Sequence, residues 1–411
     1  MSKRTEEIKE TIMSANSVVK KDTEFAPTGS TLLDLIVGGG TGEGFSFGNV
    51  INIVGDTGSG KSLMVCEIVA ACHYKFKDKF KWIYDDCESG FTFDTKSLYG
   101  FEIMPMNVEE RVKSDTVEDA YVNVRKFAEG LKKDEFGIYV IDSLDGLTSK
   151  EANTIANTHY NKALKGKEDD TGSYRLGKAK YLSQEFFPQL ADLLEKTNCL
   201  LIIVSQVREN LSPISFNKFV RSGGKAMDFY CHTVLWLASL KKIKRKDRVV
   251  GVVVKAKTTK SKTPRPFREG LFIIDFYYGI DDIATNIDYL YDFRTDAGEL
   301  VKNASAIWQS GKELNLENLK QFLLDNDLVK RYETEVSSKL KKSEILDWIN
   351  TDKDIKDKFN NTFGVEMSRE ELIHYIEENN LEDELRRRVK EKWENIEASV
   401  KTLRKMKYQE V

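Results

Sequence analysis

A chain of 411 residues with 40% hydrophobic and 31% charged residues can bury two or three separate cores, which excludes a fibrous or disordered protein. Its 63 Lys and Arg against 66 Asp and Glu leave a net charge of −3, so a polyanion would have to be held by local cationic clusters and not by an overall basic field. No apolar run approaches the roughly 20 residues of a membrane-spanning helix, so no membrane is expected; the five cysteines show neither CxxC nor metal-ligand spacing and read as single buried thiols of a reducing compartment.

Residues 1–24 begin "MSKRTEEIKETIM", which lacks the apolar stretch of a signal peptide. Ile8, Ile12 and Met13 fall at helical spacing before a polar "KKDTE". This is an amphipathic arm too small to be a domain, expected to oligomerise by packing on a neighbouring protomer. From Phe25 to about 290 short apolar runs alternate with helical patterns. The candidate strands are "NVINIVG", "FKWIYDD", "GIYVIDS" and "CLLIIVSQ", most of them almost continuously apolar, as strands covered on both faces are. They predict a mostly parallel sheet between helices. "TVLWLASLKKIKRKDRVVGVVVKAK" reads as two strands joined by a basic turn, and "GLFIIDFYYG" as a third, extending the sheet in antiparallel fashion. Residues 291–411 change character: "LKKSEILDWIN", "SREELIHYIEENN" and "LEDELRRRVKEKWENIEASVKTLRKMK" are charged amphipathic helices of a small, mostly helical C-terminal domain.

The first strand runs into "GDTGSGKS", residues Gly55, Asp56, Thr57, Gly58, Ser59, Gly60, Lys61 and Ser62, and then into the helical "LMVCEIVAACHYKF". Strand, glycine-rich loop and helix in this order form a Walker A site. Successive N–H groups wrap a β-phosphate at a helix N-terminus, Lys61 reaches the β/γ-phosphates, and the Ser62 hydroxyl ligates Mg²⁺. Asp142, closing the strand "IYVID", is placed to hold the same Mg²⁺. "WIYDDCESG" offers Asp85, Asp86 and Glu88 after another strand; hydrolysis needs an acceptor that orients water opposite the γ-phosphate, and Glu88 is the choice. The cofactors expected are therefore ATP and Mg²⁺.

The order Walker A, Glu88, "VIDSLDGL", "IIVSQVR", "SGGKAMDFY" and "VKAKTTKSKTPRPF" resembles the RecA family of ATP-dependent DNA recombinases, bacterial or phage-type (UvsX-like). The resemblance extends from Phe25 to about Ile280 and includes the entry segment "PTGSTLLDLIVGGG". It implies a RecA-type P-loop NTPase core in residues 25–290, DNA-dependent ATP hydrolysis, and a helical filament of identical protomers on single-stranded DNA. That filament would pair its strand with homologous duplex DNA, in recombination and DNA repair, in the cytoplasm of a bacterium or phage-infected host, with accessory recombination proteins as further partners. Glu88 would be the catalytic base and Gln206 the γ-phosphate sensor. Lys260 and Lys262 would reach the neighbour's γ-phosphate. "QVRENLSPISFNKFVRSGGK" would be the second DNA-binding loop, with Arg208, Lys218 and Arg221 on phosphates, Phe216 or Phe219 as a wedge between bases, and Gly223–Gly224 admitting the backbone. The first DNA loop would fall within 145–178, where Lys162, Lys165, Lys167 and Arg175 are undistinguished candidates. The basic end "KTLRKMKYQEV" is not an acidic autoinhibitory tail. A RecA-fold helicase or helicase loader shares the nucleotide core, and so does a DNA-independent regulatory ATPase of the KaiC type.

Overall fold

The computed structural model describes residues 24–39, 42–105, 113–165, 176–209, 219–221, 223–308 and 314–401. The N-terminal arm through residue 23, Phe216 and Lys218 of the loop, Lys167, Arg175 and the end of the basic tail lie outside the described residues. The chain divides into two compact units. One runs to Thr285 and takes in the chain from Val389 onward; the other is Asn286–Arg388.

In the first unit β1 (Phe25–Ala26) pairs antiparallel with β2 (Phe45–Ser46). Between them lies α1 (Thr31–Val37), buried along nearly its whole length. The "TGS" entry segment shapes this start: Thr28 donates from both its N–H and its hydroxyl to Asp34 Oδ1, each at 2.8 Å. Burial pushes the Asp34 carboxyl up to about 7, against those two hydrogen bonds.

The main sheet is built on β3 (Val50–Gly55), β4 (Phe80–Asp86), β5 (Phe136–Asp142) and β6 (Cys199–Glu209), all parallel, in the order β3-β6-β5-β4. The sequence predicts these four strands, and their apolar continuity has the expected cause. Tyr139, Ile141, Leu201 and Ile203 belong to a core shared with α3 (Val117–Gly130) and the helix Phe187–Lys196. The alternate residues Ile138, Val140, Leu200 and Ile202 are also fully buried, and α2 (Lys61–Phe76) packs on strands β3 to β6.

A short ribbon partner, β7 (Phe219–Arg221), pairs with the end of β6. The sheet continues past β3 through β8 (Thr233–Arg245), parallel to it. Then β9 (Arg248–Ser261), β10 (Glu269–Asp275) and β11 (Gly279–Ile280) follow in antiparallel order. Lys246 and Asp247 turn the β8–β9 hairpin with φ of 48° and 62°, the left-handed pair that a two-residue hairpin turn requires. The architecture is thus α/β with a mixed, mostly parallel sheet between helices, as the sequence predicts.

The second unit is mostly helical, with a core of Leu319, Phe322, Tyr332, Ile345, Trp348 and Phe363. It also contains a two-stranded sheet, Ser305–Ile307 with Glu366–Ser368, that the amphipathic pattern does not reveal. All five cysteines are buried free thiols, and among the described residues no helix is long and apolar enough to cross a membrane.

Candidate active site

Parallel strands present their carboxyl ends on one side of the sheet, and the candidate residues gather there. Gly55 at the end of β3 lies in register with Gln206 on β6, and Asp86 with Asp142 across β4 and β5. The loop from Gly55 to Ser62 leaves β3 and enters α2 with no side-chain cap on its first turn, so those N–H groups point into the loop.

Two glycines are required by the geometry. Gly60 has φ +85°, and a Cβ there would sit 2.3 Å from Ile274 Cδ1; Gly58 has φ +76° with no heavy atom within 4 Å of a Cβ position, which leaves its face of the loop open. Ser59 braces the turn by donating its hydroxyl to Asp56 O at 2.8 Å. Lys61 curls over the same loop and donates to Asp56 O, also at 2.8 Å. Burial holds its ammonium below the usual range, against the pull of Asp142, Glu88, Asp56 and Asp145. A partly buried cation facing four carboxylates at the uncapped N-terminus of a helix suits a polyphosphate and its counterion.

Asp142 is largely buried. Burial pushes its carboxyl up, hydrogen bonds from Ser62 and Tyr84 oppose this, and Glu88 and Asp86 add repulsion. The Tyr84 hydroxyl donates directly to Asp142 Oδ2, and its own phenol is kept protonated by burial. Ser62 and Asp142 together match one hydroxyl and one carboxylate for a hard cation. Among the described residues no cluster of three or more His, Cys, Asp or Glu forms a metal cage, and a Mg²⁺ that takes its remaining ligands from phosphates and water needs none.

The three acids after β4 separate by environment. Asp85 is fully buried and accepts from Ser114 N at 3.0 Å, the Ser114 hydroxyl at 2.5 Å and the Tyr139 hydroxyl at 2.8 Å, so it ties strands to the 113–116 segment. Asp86 accepts from Gly90 N and Phe91 N at 3.2 and 2.9 Å and closes the following turn. Glu88 alone faces the loop: its Oε1 accepts from Gln206 Nε2 at 3.0 Å and from the Ser143 hydroxyl. Gln206 in turn donates its backbone N–H to Asp145 Oδ2 at 2.9 Å. Asp145 carries no signal in the sequence beyond its place three residues after Asp142.

Gln206 continues without a break into the segment expected to meet DNA. The sequence predicts an irregular loop; the structure instead pairs Val207 with Arg221, Arg208 with Val220 and Glu209 with Phe219, so the segment leaves and returns as a two-stranded ribbon. This register turns Arg221 inward. Only 7% of its side chain is exposed, and its guanidinium donates to Asn52 Oδ1 and to the Asp228 carboxylate. In this arrangement the Arg221 charge is paired inside the protein, with Asp228 and Asn52. The sequence signal for this was Asn52, an amide in an all-apolar strand that needs buried partners; it also donates to Ile203 O at 2.7 Å and Ser205 Oγ at 2.9 Å. Gly223 has φ +91° and opens the helix Gly224–Tyr230. Of the first-loop candidates, Lys162 and Lys165 stand exposed at the end of the helix Lys150–Leu164 and beyond it.

Lys260 and Lys262 lie elsewhere. Lys260 pairs with Val234 of β8, which pairs with Asn52, three residues before Gly55 on β3. That places it about 10 Å down the strand from the loop and two strands to the side. Its ammonium donates to the carbonyls of Asp228 and of Phe229, the latter at 2.8 Å, and burial followed by repulsion from Lys262 lowers its pKa. The neighbouring His232 is held down to about 4 by burial and by Lys262 and Lys260, so it is neutral at physiological pH and the patch owes its charge to the lysines.

A family model for the RecA N-terminal domain matches residues 4–281. The chain is 26% identical over 339 residues to a protein RecA of Clostridioides difficile, covering 81% of this chain and 87% of that protein. It is 28% identical over 323 residues to a protein RecA of Cereibacter sphaeroides, with 77% and 84% covered. A mitochondrial DNA repair protein recA homolog of Dictyostelium discoideum is 25% identical over 361 residues, with 86% and 73% covered. Among solved structures, the RadB recombinase aligns with a TM-score of 0.42 at 17% identity, over 62% of this chain and 98% of that one.

Proposed function

Because the chain belongs to the RecA family of recombinases, through a family model that spans residues 4–281, we propose that it is a DNA-dependent ATPase that polymerises on single-stranded DNA and pairs that strand with homologous duplex. The observation that carries this reading is one continuous strand. Gln206 donates to Glu88 at 3.0 Å at the nucleotide site and the same strand runs on into the 206–224 segment. A side chain that touches the hydrolytic carboxylate and begins the DNA segment can couple the two sites.

In this reading the N–H groups of residues 58–62 and the Lys61 ammonium bind the phosphates. Ser62 and Asp142 would hold Mg²⁺, which when bound neutralises phosphate charge. Glu88 orients the attacking water and takes its proton, and Gln206 withdraws or supplies its hydrogen bond as the γ-phosphate comes and goes. Arg208, Phe216, Lys218 and Phe219 with Gly223–Gly224 are the proposed DNA contacts, Arg221 tying the ribbon to β3. The test is steady-state ATP hydrolysis with and without single-stranded DNA, followed by strand exchange. Strong stimulation and exchange support the proposal. Stimulation without exchange leaves a helicase or loader, and turnover indifferent to DNA leaves a regulatory ATPase.

One further outcome follows from Tyr84. Tyr84→Phe removes a donor to Asp142, so the Asp142 carboxyl rises and protonates more readily, and a protonated acid cannot ligate a cation. The Mg²⁺ concentration for half-maximal turnover is expected to rise about tenfold, more at pH 6 than at pH 8. Superimposable Mg²⁺ titrations of the two proteins at both pH values would remove Tyr84 from this role.

A further inference from the structure

Lys178 stands on the short helix Leu176–Tyr181. Its half-buried ammonium donates to the carbonyl of Leu144 and, at 2.8 Å, to that of Leu147, bracketing the single turn Leu144–Gly146 directly after Asp142 and Ser143. Every residue of that turn meets a part of the hydrolytic site or its DNA segment. Asp145 Oδ2 accepts the backbone N–H of Gln206 at 2.9 Å. A Cβ at Gly146 would lie 3.1 Å from Glu88 Cγ and 3.0 Å from Cys87 O, so its backbone is packed against the stem of the catalytic carboxylate. Leu144 lies under the segment's end, 3.1 Å from a Cβ position at Gly223.

We propose that Lys178 is a positioning residue for hydrolysis: by clamping the Leu144 and Leu147 carbonyls it fixes the turn whose Asp145 sets Gln206 and whose Gly146 backs Glu88. The inference rests on the function proposed above. The physical case is one of rigidity. The turn has two hydrogen bonds of its own, from Gly146 N–H to Ser143 O at 3.1 Å and from Leu147 N–H to Leu144 O at 3.3 Å, and a cation donating to the carbonyls at its ends adds strong, directional restraint to them. Glu88 and Gln206 must each be placed to within a fraction of an ångström for water to be oriented, and displacement of a supporting element by about 1 Å costs up to about a hundredfold in rate. The clamp also joins the turn to the helix that follows residue 175, so it gives that part of the chain a mechanical grip on the hydrolytic carboxylate.

The test is a kinetic double-mutant cycle of Lys178→Met and Asp145→Ala, with Lys178→Arg as the conservative variant, each measured for kcat and KM with and without single-stranded DNA and for ATP affinity by fluorescent analogue. The expected result is a fall in kcat of about ten- to a hundredfold in Lys178→Met with KM and ATP affinity within about threefold, and substantial rescue in Lys178→Arg. Asp145→Ala should show a similar loss, and the double variant should be little worse than the poorer single, because both act through one turn. Wild-type kcat in Lys178→Met, or losses that multiply in the double variant, overturns the relay. A parallel loss of ATP affinity with kcat, unrescued by Arg, overturns it too, since that is the pattern of general destabilisation. Failure of the functional reading is seen separately: a wild-type protein unmoved by DNA refutes that reading, while the relay is still decided on basal turnover.

Discussion

Glu88→Gln is expected to lower DNA-stimulated ATP turnover about 10²–10⁴-fold while ATP and single-stranded DNA binding persist. The substitution separates two properties of Glu88. Its Oε1 accepts hydrogen bonds from Gln206 Nε2 and from the Ser143 hydroxyl, and a glutamine oxygen can accept both. What glutamine lacks is basicity, so a large loss in kcat with preserved binding assigns proton acceptance to this side chain and not merely a place in the network. Glu88→Asp makes the complementary change, keeping the charge and drawing it back by one methylene from Gln206; it should lose both turnover and the effect of DNA on it. Rapid-quench measurement of the hydrolytic step, beside equilibrium binding of both ligands, reads these outcomes. Turnover in Glu88→Gln within about tenfold of wild type would move the base elsewhere, and Asp86, which is engaged in closing its own turn, is poorly placed to replace it.

What the sequence made legible follows a physical rule. Strands β3 and β5 and the first part of β6 are buried on both faces, so nearly every residue in them must be apolar, and their limits stand out against polar turns; the edge strand β4 exposes Lys81 and is less regular. The nucleotide loop is equally plain because its conformation admits few alternatives: Gly60 would clash with Ile274 if it carried a Cβ. The sequence offers Asp85, Asp86 and Glu88 together, with Glu88 as the choice, and the structure shows a physical difference between them, since Asp85 is enclosed by Ser114 and Tyr139 while Glu88 meets Gln206.

The features that escaped depend on tertiary register. Arg221 read as an exposed cation because nothing local says that β7 pairs with β6 and turns it toward Asn52. Lys178 and Asp145 read as members of a charged stretch, because the carbonyls and the backbone N–H they engage have no signature in sequence. The small sheet of Ser305–Ile307 with Glu366–Ser368 joins segments some 60 residues apart, beyond any local periodicity.

The second large effect concerns Lys260 and Lys262. The double variant Lys260→Ala, Lys262→Ala is expected to lose about 10³-fold or more in turnover with ATP binding intact, the magnitude of a charge supplied across an interface to the transferring phosphoryl group. Their position argues for action between protomers. Lys260 pairs with Val234 and through it with Asn52, toward the end of the sheet away from the Gly55–Ser62 loop, so the chain's own phosphates are out of reach. Its ammonium rests on the Asp228 and Phe229 carbonyls at the end of the helix that follows the DNA segment, and it must leave them to act. Mixing distinguishes the two geometries. Glu88→Gln protomers are inactive at their own site but carry both lysines, and the lysine double variant has an intact Glu88 but no cations to lend. In a head-to-tail polymer of equal parts, about a quarter of the interfaces join a site with Glu88 to a neighbour with lysines, so turnover should recover to about a quarter of wild type, from two proteins each nearly inactive alone. Lysines that served their own protomer would give no recovery at any mixing ratio. Recovery that requires single-stranded DNA would further show that assembly on the strand brings the lysines to their target, since the helix whose carbonyls hold Lys260 lies directly after the segment proposed to grip it.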